Sequence, residues 1–446
     1  MRATAHRAGD ETRGDRSRPG TRVELFIGKG GVGKTTLACA AAMAYARLGQ
    51  RVLVASLDQA HSLGDALGFR FPHDPGTVAG ITRVLPGLEV IELDSLALLE
   101  DRFRDVVGLL AADPGHDHGI DLAALDPAEL TGLPGVQELL MLVEISRYAA
   151  DDEWDVIVLD CPPSADMLRI VTAPEALLGY LDRIWPPHER VRGAIGGDLR
   201  RAVLATTVQR IVEAVSEVRD LLADHARTGA RLITVPERVA VAESARVRSA
   251  TALLGLRLEA VVVNKVLPAV PATAPGSEHP AVQWYLHRRA EQLDVIAGLR
   301  RAMPEAPVLV AGHTGPEPVG LGPLAALSWV VVDEAPGNTV GGEVDTAGGV
   351  GHNPAADRAG SPEPVVRLES GTGLQSVYAM RMHLPVVDPA TLRLGRVEDD
   401  LIVGADGVRR RLRLAPVLRR CTVSAAELGN GYLVVRFRPD PRVWPE

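Results

Sequence analysis

A run of nine residues, GKGGVGKTT from Gly28 to Thr36, limits this chain more than any other stretch. It matches G-x-x-x-x-G-K-[ST] at Gly28, Gly33, Lys34 and Thr35. An apolar run, Val23 to Ile27, leads into it, and an Ala-rich helical stretch, Thr36 to Leu48, leads out toward a second apolar run, Arg51 to Ser56. Strand, glycine loop and helix in that order make a polyphosphate site. Glycines let the backbone curl until successive N–H groups and a helix N-terminus face one anion. The expected phosphate-binding set is Gly28, Gly30, Gly31, Val32, Gly33, Lys34, Thr35 and Thr36. Lys34 is placed to reach the β/γ-phosphates and Thr35 to offer its hydroxyl to Mg²⁺.

Lys29 adds a second lysine to the same loop. The chain has three lysines in all, Lys29, Lys34 and Lys265, among 48 basic residues. A sequence that prefers arginine this strongly, yet keeps two lysines in one loop, implies that a compact ammonium is required there.

Composition narrows the class. Net charge is −9, which argues against sliding on DNA, where basic patches supply the affinity. No apolar run approaches the ~20 residues of a membrane helix, and the N-terminus has no apolar signal core, so a cytoplasmic location without membrane insertion is expected. Cys39, Cys161 and Cys421 are isolated from one another and read as buried hydrophobes.

Residues 1–20 read as a disordered tail. From 21 to 333 apolar strands alternate with helical stretches, including Trp154 to Asp160, Arg231 to Val235, Leu258 to Val263 and Pro307 to Ala311. That alternation predicts an α/β, doubly wound parallel sheet of the P-loop NTPase type. Residues 334–365 are rich in glycine and proline and read as a flexible linker. In 366–446 the period becomes two: Tyr378, Met380, Met382 and Leu384, and later Leu433, Val435 and Phe437, alternate with their neighbours. Turn residues such as Gly429-Asn430-Gly431 punctuate the strands, which predicts a small all-β sandwich.

GKGGVGKT resembles the deviant Walker A motif of the family that holds ArsA, the Get-pathway tail-anchored-protein-targeting ATPase, MinD, ParA and nitrogenase iron protein. The segment LPGVQEL within 131–145 resembles the ArsA/Get branch, a likeness that runs from about 22 to 333, and residues 375–438 resemble the α-crystallin-like module of some bacterial ArsA-family proteins. The resemblance implies ATP and Mg²⁺ as ligands and a homodimer in which Lys29 reaches the partner's nucleotide. It also assigns roles. Asp58 takes the position of the first-switch aspartate that acts on the attacking water, followed by Gln59 where the family has proline. Asp160 ends DVIVLD as a Walker B carboxylate facing Mg²⁺, and Asp166 stands where the second switch has histidine. Pro236 and Glu237 match the family's P-E, and Asn264 matches its adenine-contacting asparagine; Val266-Leu267 breaks the N-K-x-D signature of GTPases.

Several clusters argue for less. His116-Asp117-His118 lacks a nearby third ligand. Arg409, Arg410, Arg411 and Arg413 alternate with Val408, Leu412 and Leu414, as on the wet face of a strand. Helical stretches 96–110 and 175–225 contain no methionine, which favours burial over a client groove. The expected function is an ATPase coupling nucleotide state to an unidentified client or a membrane transport partner, with catalytic Asp58, Lys29 and Lys34. The alternatives are a ParA/MinD-type positioning ATPase on DNA or membrane, a non-hydrolysing scaffold, and an arsenite pump subunit, which isolated cysteines disfavour.

Overall fold

The computed structural model describes residues 20–58, 62–71, 80–101, 136–186, 199–270, 279–303, 306–327, 329–330, 364–384, 387, 389–405 and 407–444. The N-terminal tail before residue 20, Gln59, His116–His118 and the linker before residue 364 lie outside them.

Seventeen elements build the first part of the described chain. In order they are β1 (Arg22–Gly28), α1 (Lys34–Arg47), β2 (Val52–Ser56), α2 (Ser62–Leu67), β3 (Thr82–Leu85), β4 (Leu88–Glu92), α3 (Val136–Ala150), β5 (Val156–Asp160) and α4 (Ser164–Ile184). There follow α5 (Leu199–Ala223), β6 (Thr228–Thr234), α6 (Arg238–Leu254), β7 (Leu258–Val266), α7 (Pro280–Ala302), β8 (Val308–Gly312), α8 (Leu321–Ala326) and β9 (Trp329–Val330). The strands form one sheet in the order β3-β4-β2-β5-β1-β6-β7-β8-β9. Neighbours from β4 to β8 run parallel, whereas β3 and β9 join the edges antiparallel. The doubly wound expectation holds, with antiparallel edges that it did not include.

Strands buried on both faces carry apolar side chains at nearly every position. Along β1, Val23, Leu25 and Ile27 enter the core formed with α3, α4, α5, α6 and α7, while Phe26 enters the core under α1, α2 and α8. Alanines let α1 lie close to the sheet: Ala38, Ala41 and Ala42 are buried on it beside Leu37. The exception is Glu24, fully buried on β1. Its carboxylate accepts from Tyr45 of α1 at 2.7 Å and from Arg231 of β6 at 3.3 Å, and pairs with Arg22 at 2.7 Å. Arg231 also donates to the Tyr45 hydroxyl at 2.8 Å. Burial first, and the Glu24 charge second, push the Tyr45 phenol up, so it stays a donor. This network ties the far end of α1 to the sheet.

The second part of the chain is all β. Strands β10 (Val365–Ser370), β11 (Val377–His383), β16 (Tyr432–Pro439) and β15 (Cys421–Gly429) form one antiparallel sheet in that order; β12 (Arg393–Val397), β13 (Asp400–Ala405) and β14 (Val408–Arg413) form another. The period-two pattern sends Met380, Met382 and Leu384 of the β11 segment inward to meet Leu433, Val435 and Phe437 of β16, with Met380 opposite Val435 and Met382 opposite Leu433. Asn430 and Gly431 turn β15 into β16 with φ of 50° and 74°, the left-handed pair that a two-residue hairpin needs.

The β-module is not detached from the sheet domain. Leu253, on the last turn of α6, is fully buried within the module's own core cluster. Arg410 of β14 donates to the Leu253 carbonyl at 3.1 Å and approaches Glu175 of α4 at 3.5 Å, while Arg413 pairs with Asp182 of α4 at 3.2 Å. The wet-face expectation is therefore corrected at Arg410, whose side chain is only 11% exposed. It shares a strand face with Val408 and Leu412, which pack in the module's core beside Leu253, so that face meets the end of α6 rather than water.

Arg231→Met removes the cation that Glu24 and Tyr45 share. Breaking one partner out of a buried ionic network costs about 3 kcal/mol, with Arg22 left as partial compensation. Urea unfolding should show that loss, and Glu24→Gln with Arg231→Met should recover part of it.

Candidate functional site

The glycine loop joins the carboxyl end of β1 to the N-terminus of α1. Gly28, Gly31 and Gly33 have φ of 151°, 78° and 92°, and at two of them space is closed as well. A Cβ on Gly28 would stand 2.3 Å from the Ile233 carbonyl oxygen, and one on Gly33 would stand 2.4 Å from the Asn264 amide nitrogen. Only glycine fits either position. Gly30 and Gly31 are exposed at the loop's mouth, Val32 is buried beneath it, and Thr36 is half-buried in the first turn of α1.

Asn264, near the end of β7, holds the loop from below. Its amide nitrogen donates to the Val32 carbonyl at 2.8 Å, and its oxygen accepts from the Lys265 N–H at 2.8 Å. Lys265, at a left-handed φ of 58°, sends its ammonium to the Gly31 carbonyl at 3.0 Å. Lys34 is buried and donates to the Lys29 carbonyl at 3.2 Å. All three lysines of the chain thus converge on one loop, two of them clamping its carbonyls.

Thr35, Ser62 and Asp160 meet on the other flank. The Thr35 hydroxyl donates to Asp160 Oδ2 at 2.7 Å and lies 3.1 Å from the Ser62 hydroxyl. Asp160 Oδ1 is buried without a hydrogen-bond partner. Burial is the main force raising the Asp160 carboxyl, and the Asp58 charge adds to it. Thr35 and Lys34 act the other way, leaving it at about 6. Asp58 lies two residues past the end of β2, the strand next to β5, and its N–H donates to Ser56 Oγ at 3.1 Å. A hard, hydrogen-bonded oxygen pair with one orphaned carboxylate oxygen suits Mg²⁺, which takes few protein ligands and leaves the rest to phosphate and water.

The remaining expected residues sit around this centre. Pro163, at the N-terminus of α4, is the neighbour that a Cβ on Gly30 would meet, so the second switch borders the loop. Asp166 lies in the first turn of α4 and bonds Arg169. Pro236 and Glu237 open α6, and Glu237 is turned to Arg288 of α7 at 3.2 Å rather than to the loop. Lys29 is half-exposed and pairs with Glu243 of α6 at 3.0 Å. Sequence reasoning missed Glu243, Ser62 and the clamping role of Lys265. The scarcity of lysine was a signal for the last, and Ser62 stands four residues after Asp58 in the same first-switch-like stretch; nothing local marks Glu243.

A parallel sheet whose glycine loop, threonine and strand-end carboxylates gather at the carboxyl ends of adjacent strands defines a P-loop nucleoside triphosphatase. Comparison with known proteins narrows this. Residues 21–328 match the family described as anion-transporting ATPase, and residues 375–437 match the HSP20-like domain found in ArsA. The chain belongs to the ArsA ATPase family and is an ATPase carrying an α-crystallin-like domain. It is 44% identical over 433 residues to protein Rv2184c of Mycobacterium tuberculosis, covering 95% of this chain and 97% of that one. Identity to ATPase GET3 of Rhodotorula glutinis is 26% over 268 residues, 58% of this chain and 74% of that one. No helix among the described residues is long and apolar enough to cross a membrane.

Asp160 makes a sign-specific prediction. Its carboxyl is raised, so the folded chain favours the protonated form. That preference is fully felt below the unfolded value near 4 and is lost as pH climbs through about 6. Asp160→Asn should therefore stabilise the nucleotide-free protein at pH 7.5, by about 2–3 kcal/mol, and change little at pH 3.5. Urea titrations at the two pH values check this, and the same variant should lose Mg²⁺-dependent turnover.

Proposed function

We propose that this chain is a Mg²⁺-dependent ATPase that works as a homodimer, completing each site with a lysine from the partner and passing nucleotide state to a client or a membrane transport partner. The observation that carries the reading is the convergence of Lys34, Thr35, Asp160 and Asp58 around one glycine loop, with the Lys29 side chain paired to Glu243 on the loop's outer side.

The division of labour follows from sheet order. Asp160 ends β5 and Asp58 lies two residues past the end of β2, on one side of β1, while Asn264 and Lys265 lie on β7, on the other side. The γ-phosphate end of ATP fits the first side, and the sugar and base the second. Lys34 and the loop N–H groups bind the β- and γ-phosphates. Thr35 and Asp160 would hold Mg²⁺, which neutralises charge on the phosphate oxygens. Asp58 orients the attacking water and takes its proton. Asn264, fixed on Val32, keeps one amide hydrogen for an adenine edge.

Lys29 does not turn into its own loop; it is half-exposed on Glu243. A cation on that outer rim is free to serve a neighbouring subunit, where an inserted positive charge is worth about 10³–10⁵ in rate. With Cys39, Cys161 and Cys421 buried and far apart in sequence, a thiol-based arsenite site on this chain is disfavoured.

Subunit mixing tests the trans role. Lys29→Ala and Asp58→Asn should each be nearly inactive. After exchange, mixed dimers hold one site with its own Asp58 and a partner-supplied Lys29, so activity should return to roughly a quarter of wild type under random pairing. No recovery, once exchange is demonstrated, would overturn the arrangement.

A further inference from the structure

Two helices begin at the nucleotide site and end under the β-module. The first, α4, starts at Ser164, four residues after Asp160, with Pro163 beside Gly30 of the loop. The second, α6, starts after Glu237 and carries Glu243, the partner of Lys29. Their far ends meet the module. Leu253 of α6 is buried in the module's core, Arg410 spans from the Leu253 carbonyl to Glu175 of α4, and Arg413 reaches Asp182 of α4. At ~1.5 Å per residue, Glu175 and Asp182 lie roughly 15–27 Å along α4 from its first residue, and Leu253 lies about 15 Å along α6 from Glu243.

We infer that the α-crystallin-like module is a reporter of nucleotide state, clamped by Arg410, Arg413 and the Leu253 contact onto the two helices whose other ends respond to the nucleotide. This rests on the reading that the loop binds ATP. When Lys29 leaves Glu243 for a phosphate, α6 loses a tie at its N-terminus. When Asp160 and Pro163 adjust to an occupied loop, α4 shifts from its first turn. Rigid helices carry either displacement to the joint.

The joint is built to give. Pro174 sits inside α4 one residue before Glu175 and removes the backbone hydrogen bond that the Ile170 carbonyl would otherwise accept. Next to it lies a cavity of ≈ 90 Å³ lined by Val171, Pro174, Glu175, Leu254 and Arg410. Arg410 Nε is buried there without a hydrogen-bond partner. A packed interface with spare volume and an unsatisfied guanidinium nitrogen can adopt a second arrangement at little cost, unlike the filled cores on either side. Coupling of this kind is reciprocal: nucleotide alters docking, and docking alters nucleotide affinity by the same factor.

Hydrogen exchange on the full chain tests the inference, in parallel with calorimetric nucleotide binding. In wild type, a non-hydrolysable ATP analogue with Mg²⁺ should change amide exchange at residues 408–413 and in the last turn of α6 by about fivefold or more relative to the nucleotide-free protein. In Arg410→Glu/Arg413→Glu the module should exchange independently of nucleotide, and analogue affinity should shift by the same factor. Adding Glu175→Arg and Asp182→Arg should restore both readings. Analogue bound by wild type with unchanged exchange at the joint would overturn the coupling, whatever the variants do. So would a released module with unchanged affinity. Failure of wild type to bind the analogue at all would instead defeat the ATP reading on which the inference rests.

Discussion

The site depends on a stretch of backbone that has almost no side chains with which to hold its own shape. Between Gly28 and Gly33 the chain must aim its N–H groups at one point, yet four of those six residues are glycine. The Asn264 carboxamide solves this by bonding the Val32 carbonyl from β7, two strands away from β1. Lys265 and Lys34 then cap the Gly31 and Lys29 carbonyls. An anion site made of fixed dipoles needs no reorganisation when the phosphate arrives.

The same economy explains why a destabilising carboxylate is tolerated at Asp160. Buried, with one oxygen unpartnered and its carboxyl raised to about 6, it is a cost to the nucleotide-free fold. Under the proposed function it is also the group that would hold Mg²⁺ beside the phosphates. The neighbouring Glu24, Tyr45 and Arg231 network, by contrast, is mutually satisfied in most of its groups and anchors α1 at the end away from the glycine loop. Polar burial serves two purposes within a few residues on adjacent strands.

Much of this was legible in the sequence because the decisive residues are contiguous. GKGGVGKTT and DVIVLD each carry their strand, turn and chemistry in one short stretch, and the alternation through Met380, Met382 and Leu384 reports an inward face directly. What stayed hidden depends on meetings across the fold. Nothing near Glu243 says that Lys29 will reach it from over 200 positions away. The spacing of Arg410 gives its strand face but not what that face covers, and here it covers the end of α6. The antiparallel edge strands β3 and β9 are too short, at four and two residues, for a period to register. Asn264 was read toward the adenine by likeness, while its visible bonds are to the loop itself.

The central claim is that Lys34 and the loop around it form the phosphate site on which everything else turns. Calorimetric titration of Mg²⁺-ATP into wild type and Lys34→Ala, with circular dichroism to confirm an intact fold, addresses it most directly. The account predicts a saturating isotherm for wild type and no measurable binding for the variant, because the ammonium lost is the one aimed at the β/γ-phosphates. A folded Lys34→Ala protein that binds Mg²⁺-ATP as wild type does would contradict it.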